Sequence, residues 1–133
     1  MAKKKDDLPQ LPEAELDVLS CLLQHGHMTA RAIREALEQA RPMAHASVVT
    51  LLNRLEQKEL VRKQKGKTGK AFVYQATRKP GSVYRSLVQG LLDRVFAGNG
   101  LAMMQSLFET KPPNKEELDT LQSMLDDMRG AKK

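Results

Sequence analysis

The chain has no tryptophan, two tyrosines and three phenylalanines in 133 residues, so leucine, valine, methionine and alanine must fill its core. Few aromatic and β-branched residues, set against many Leu, Ala, Glu, Lys and Gln, argue for a mainly helical fold. A single cysteine, Cys21, excludes an intramolecular disulfide framework and fits a reducing compartment. No apolar run is long enough to span a bilayer, and the start MAKKKDD lacks the apolar core of a signal peptide. A soluble, cytoplasmic protein is therefore expected. Gly66-Lys67-Thr68-Gly69-Lys70 lacks the spacing of a P-loop and falls between strand-like segments, not before a helix. Nothing clusters Ser, His and acidic residues into a catalytic pattern, and no enzymatic activity is expected. Cys21, His25, His27 and His45 invite a metal reading. They offer at most three closely spaced ligands where a structural zinc site usually has four, so no metal and no cofactor are expected.

What is present is positive charge in one place. Residues 1–79 carry fifteen Lys/Arg against nine Asp/Glu, whereas residues 80–133 carry seven of each. Residues 54–79 alone carry nine against two. A polyanion partner should bind that segment and not the C-terminal part.

The stretch Ala44–Leu60 stands just before this charge. Val48, Leu51, Leu52, Leu55 and Leu60, with Val49 beside them, fall in steps of three and four and form one stripe of a helix. Ser47, Thr50, Asn53, Arg54 and Gln57 fall largely on its other faces, where they suit a base edge or a phosphate. Leu60–Lys65 and Lys70–Ala76 then read as two strands around a Gly-bounded turn, carrying Lys63, Lys65, Lys67 and Lys70. A polar-faced helix followed by a basic hairpin is what a winged helix-turn-helix needs, with the helix in the major groove and the hairpin on the backbone. Phe72 and Tyr74 share one strand face and are read as packing residues, with Val73 on the other.

Before this unit, residues 1–10 read as a disordered tail. Leu11-Pro12-Glu13-Ala14-Glu15 opens a first helix with a buried stripe of Leu16, Leu19, Leu22 and Leu23, ended by Gly26. The two glutamates suit the positive end of that helix. Met28-Thr29 is short enough to be an edge strand. Thr29 can cap a second helix over Ala30–Gln39, in which Ile33, Ala36 and Leu37 are apolar. Arg31 and Arg34 oppose that helix's dipole, which points to a phosphate near Thr29 and Arg31 as readily as to plain solvation.

Residues 77–81 read as a hinge, after which the charge bias disappears. Tyr84, Val88, Leu91 and Val95 recur at helical spacing, widened by Leu87, Leu92 and Phe96. Gly98-Asn99-Gly100 stops that helix. A short apolar helix follows, containing Met103, Met104, Leu107 and Phe108. After Pro112-Pro113 comes a last helix, capped by Asn114, with Leu118, Leu121, Leu125 and Met128 on its stripe. Three short helices can hardly bury these stripes alone. The expectation is a disordered tail (1–10), a winged-helix DNA-binding domain (11–79) and a helical dimerisation domain (80–133). The homodimer would place two reading helices on a two-fold axis, as a palindromic site requires.

Leu11-Pro12-Glu13-Ala14-Glu15-Leu16, Met28-Thr29-Ala30-Arg31-Ala32-Ile33 and Ser47-Val48-Val49-Thr50-Leu51-Leu52-Asn53-Arg54-Leu55 closely resemble the penicillinase-repressor family, of the BlaI/MecI type. The segments Gly69-Lys70-Ala71-Phe72-Val73-Tyr74 and Leu91-Leu92-Asp93-Arg94-Val95-Phe96-Ala97-Gly98 match too, and the likeness covers about residues 8–129. The resemblance implies a bacterial winged-helix repressor of resistance or stress genes, dimeric through its C-terminal helices, on dyad operators with TACA and TGTA half-sites. On matching positions Ser47, Thr50 and Arg54 would sit in or over the groove, Thr29 and Arg31 would approach phosphate, and the hairpin lysines would flank the backbone. It also implies release by proteolysis beside Phe108, triggered by a membrane β-lactam sensor. Leu107 departs from the Asn that well-known members carry before this Phe, and Val49 stands where a basic or polar residue is common. A copper-responsive branch carries C-terminal cysteines, and this chain has none after Cys21. Two further readings stand beside the repressor: a winged-helix RNA-binding or protein-interaction module, and a metal-responsive regulator.

Overall fold

The computed structural model describes residues 8–67, 69 and 71–131; Lys70 and residues 1–7 of the expected tail lie outside these. Six helices and three strands follow in the order α1 (Glu13–His25), β1 (Met28–Thr29), α2 (Ala30–Ala36), α3 (His45–Gln57), β2 (Val61–Lys65), β3 (Phe72–Ala76), α4 (Pro80–Arg94), α5 (Gly100–Thr110) and α6 (Lys115–Ala131). The chain divides into two compact units that part between Val88 and Gln89.

In the first unit, α1, α2 and α3 pack around Leu19, Leu22, Ile33, Val48, Leu52 and Leu55, each at most 1% exposed. Gly26 ends α1 at φ 86°, a backbone conformation that glycine adopts without a Cβ clash. Thr29 ends β1 and caps α2, its hydroxyl accepting from the Ala32 amide at 3.1 Å. The second helix is shorter than expected. It stops at Ala36, and Leu37, at 9% exposure, is its C-cap and turns into the core. The sheet runs β1-β3-β2, all antiparallel, with Met28 opposite Tyr74 and Val61 opposite Ala76. Thus the two-residue β1 is an edge strand that joins the hairpin to the helices.

Val83, 1% exposed, and Leu87 pack against this core, so the first part of α4 belongs to the first unit. Cys21 is buried as well, its thiol donating to the Met28 sulfur at 3.5 Å. Burial raises its pKa, so the thiol stays protonated at neutral pH. Folded protein should therefore react with an alkylating reagent far more slowly than denaturant-unfolded protein at pH 8. Because the raised pKa favours the neutral thiol in the fold, this contribution to stability is full below the unfolded thiol's pKa and is lost as pH rises through the folded value.

The second unit has a different character. The Asn99 side chain caps α5 through the Ala102 amide at 3.0 Å. Asn114 and Glu117 form a reciprocal capping box on α6, at 2.8 and 3.0 Å. Local signals therefore start both helices where the sequence places them. Yet from Tyr84 to Gly130 no residue is buried. Leu101 is 84% exposed, Val95 66% and Leu118 and Leu125 each 53%.

Candidate nucleic-acid interface

The face that α3 turns outward is dictated by the face it turns in. Val48, Leu51, Leu52 and Leu55 are buried against α1 and α2, so His45, Ser47, Thr50, Asn53, Arg54 and Gln57 are all exposed. The Thr50 hydroxyl donates to the Ala46 carbonyl at 3.0 Å, which leaves its oxygen free to accept. Val49 is half-buried at the edge between the two faces.

Both ends of α3 are tied to α1 by charge. Arg41, in the turn before α3, donates from Nε to Asp17 at 2.6 Å and from Nη2 to Glu13 at 3.0 Å. The bond to Asp17, more than any other contact, raises the Arg41 pKa. At the far end, Lys58 caps α3 and its ammonium meets Glu15 at 2.5 Å. Glu15 is 2% exposed, the one buried charged residue among those described. Acidic side chains on two sides of α1 thus hold the reading helix at its start and its finish. The sequence reading of Glu13 and Glu15 as helix-dipole partners missed this, because their partners lie 28 and 43 residues away and nothing local announces them.

The hairpin is a wing whose one face changes character along its length. Val61, Lys63 and Lys65 lie across from Ala76, Tyr74 and Phe72 respectively. Val61 and Tyr74 are buried where the hairpin meets the core, and the core runs out beyond them. Phe72 is therefore 38% exposed and not a core packing residue as expected from its sharing a face with Tyr74. The Lys63 ammonium sits 4.5 Å from the Phe72 ring centroid, a cation–π contact. Lys63 also lies 3.9 Å from Glu56. Burial, and then the charge of Glu56, raise the Tyr74 pKa. Lys65 and Lys67 are exposed along the wing.

Between α3, the β1–α2 junction and the wing lies a groove of about 510 Å³. Thr29, Arg31, Asn53 and Lys63 line it together with His45 and Phe72, which the sequence reading did not include. Four of the expected contact residues thus meet on one surface. Ser47, Thr50 and Arg54 lie on α3, Lys65 and Lys67 on the wing, outside that lining. Arg31 pairs with Glu35 one turn on at 3.3 Å, with both side chains exposed.

On the metal question, Cys21 faces Met28, and the Gln75 amide bridges His27 to the Arg62 guanidinium across the sheet once its nitrogen is turned toward His27. Among the described residues no group of three or more His, Cys, Asp and Glu could hold a metal ion, and no helix is long and apolar enough to cross a membrane.

Comparison with known proteins agrees with this geometry. The chain is 23% identical over 126 residues to the penicillinase repressor of Bacillus licheniformis, covering 95% of this chain and 97% of that one. Its fold is similar to MepR of S. aureus, with TM-score 0.54, 18% identity, and 92% and 80% of the two chains covered. It is also similar to MarR of E. coli solved with operator DNA, with TM-score 0.53, 18% identity, and 90% and 76% covered. The penicillinase repressor family matches residues 11–127, almost the whole chain, and the chain belongs to that family: it is a winged-helix, DNA-binding transcriptional repressor and not an enzyme.

Proposed function

We propose that the chain acts as a homodimer on a palindromic operator, a TACA/TGTA-type dyad, and controls β-lactam resistance or stress genes. The observation that carries this reading is the pairing of two surfaces. The polar face of α3 stands beside a basic wing, and among the described residues the apolar rows of α5, of α6 and of α4 from Val88 on are exposed or half-buried, none of them buried. In each protomer Ser47, Thr50, Asn53 and Arg54 read bases or meet phosphate from the major groove. Thr29, Arg31, Lys63, Lys65, Lys67 and Lys70 hold the backbone around them. Val49, at the edge of the reading face, suits a thymine methyl. Tyr84, Leu87, Val88, Leu91, Leu92, Val95 and Phe96 of the α4 segment, with Leu107 and Phe108 of α5 and Leu118, Leu121 and Leu125 of α6, supply the dimer contact.

Release by a sensor-triggered protease would cut beside Phe108. Leu107 is 53% exposed and Phe108 half-buried within α5, so the cut requires that helix to open locally.

The deciding measurement is binding to a dyad duplex against a scrambled one, across a salt series, with the mass of the complex recorded. Strong preference for the dyad with two protomers bound supports the reading. Equal, salt-sensitive binding to both leaves only a basic surface and rejects it. Arg54→Ala is expected to weaken dyad binding by about 1–3 kcal/mol. Unchanged affinity in a folded, dimeric variant would remove Arg54 from the interface.

A further inference from the structure

We propose that the groove between α3 and the wing is also an effector site for a small, flat organic anion such as an aromatic carboxylate, and that occupancy excludes DNA. Direct binding rests on the groove alone; its consequence rests on the DNA-binding reading above.

The groove has the size and the chemistry of a small-molecule site. Its volume of about 510 Å³ falls within the range of ligand pockets, which are mostly apolar with a few converging polar groups. Here the apolar surface comes mainly from the half-open Phe72 ring, with half-buried Val49 and exposed Ala71, and little from the buried Ala30 and Tyr74. A phosphodiester backbone makes no use of such a surface, whereas a flat hydrocarbon ring does. The polar groups are Arg31, Lys63 and His45, with the neutral Thr29 and Asn53 beside them. Arg31 and Lys63 supply two cations and His45 a ring N–H, and no Asp or Glu lines the groove among the described residues. The carboxylates that pair with these cations hold them weakly. The Arg31–Glu35 pair is largely exposed, and Lys63 stands 3.9 Å from Glu56. Each cation can turn to a ligand carboxylate at little loss. Because Lys63 already rests on Phe72, charge and aromatic face are presented side by side, as an aromatic carboxylate needs. Arg31, Asn53 and Lys63 then serve either the ligand or the operator, which gives a direct competitive release requiring no change of shape.

The test uses 2-naphthoate, with neutral 2-naphthamide as its control, on the full chain at constant ionic strength. Amide chemical shifts and calorimetry are recorded without DNA. The expected result is saturable binding of naphthoate, with shifts centred on Arg31, His45, Val49 and Phe72. The amide should bind roughly tenfold more weakly, and Ala71→Glu, which sets a carboxylate in the groove, should weaken naphthoate by a similar factor. Phe72→Ala should weaken naphthoate and naphthamide together, since it removes the ring and no charge. In a second arm, naphthoate should displace a bound dyad duplex while acetate at equal ionic strength should not. Shifts centred elsewhere, equal binding of acid and amide, or indifference to Ala71→Glu in a folded variant would overturn the site. Binding in the groove without displacement would overturn its effector role. A chain that takes naphthoate in the groove but binds no duplex would sink the operator reading and leave the anion site standing.

Discussion

Lys58→Met is expected to destabilise the winged-helix unit by about 2–3 kcal/mol, one of the two largest effects foreseen here. The substitution strands Glu15, 2% exposed, as a buried carboxylate without the ammonium that meets it at 2.5 Å. Breaking a buried ion pair by removing one partner costs about 3–5 kcal/mol, and the 32% exposure of the Lys58 side chain lowers that figure by admitting water. The asymmetry of buried pairs supplies the control. Glu15→Leu/Lys58→Met removes both charges and replaces them by packing, so it should recover most of the loss. Urea unfolding followed by circular dichroism checks both variants. A single variant within a few tenths of a kcal/mol of the parent would show that Glu15 finds another partner. The same series asks whether the pair matters for reading DNA. The Lys58 ammonium ties the end of α3 to α1 through Glu15, so the single variant should also lose dyad preference at temperatures where it is fully folded.

The second large effect concerns assembly. Leu118→Asp/Leu125→Asp is expected to yield a monomer that binds the dyad about a hundredfold more weakly, because linkage turns the second half-site contact into an intramolecular one. Both leucines are 53% exposed on α6, so the charges enter no core within the chain and the first unit should unfold as before. Ser123→Asp adds a charge to the opposite side of the same helix and should leave the dimer intact. Sedimentation equilibrium reads the mass. A double variant that remains dimeric would remove α6 from the interface and turn attention to Leu91 and Val95 of the α4 segment.

Much of this architecture was legible in the sequence, for local reasons. The spacing of Val48, Leu51, Leu52 and Leu55 defined one side of α3 and so the other. Thr29 and Asn114 marked helix starts because a side-chain oxygen can accept from an amide two or three residues on, and each does; Asn99, read only as part of a helix stop, caps α5 in the same way. Reading failed where the deciding partner is remote. Whether Phe72 is covered depends on how far the core extends along the wing, which strand alternation cannot tell. Glu15 looks like an exposed first-turn acid until α3 brings Lys58 over it. The groove escaped for the same reason: Arg31, His45, Lys63 and Phe72 come from separate elements and share no motif. Leu87 carried helical spacing within the C-terminal stripe, and only packing shows that it also lies against the first unit's core.

The base of the wing is tied into the first unit. Val61 pairs with Ala76, the Thr77 amide donates to the Leu60 carbonyl at 3.0 Å, and the Thr77 hydroxyl donates to the Glu59 carbonyl at 2.8 Å. These contacts, together with the pairing of β1 to Tyr74 and Val73, fix the hairpin to the helical core. Exposed positions beyond these ties, such as Lys67, can be recharged by mutation with little penalty to folding. Natural variation at the tip can thus adjust how firmly the protein grips any DNA, while the letters read by α3 stay under separate selection. Overall grip and sequence preference become independent heritable traits, and a duplicated copy of such a gene could shift one without losing the other.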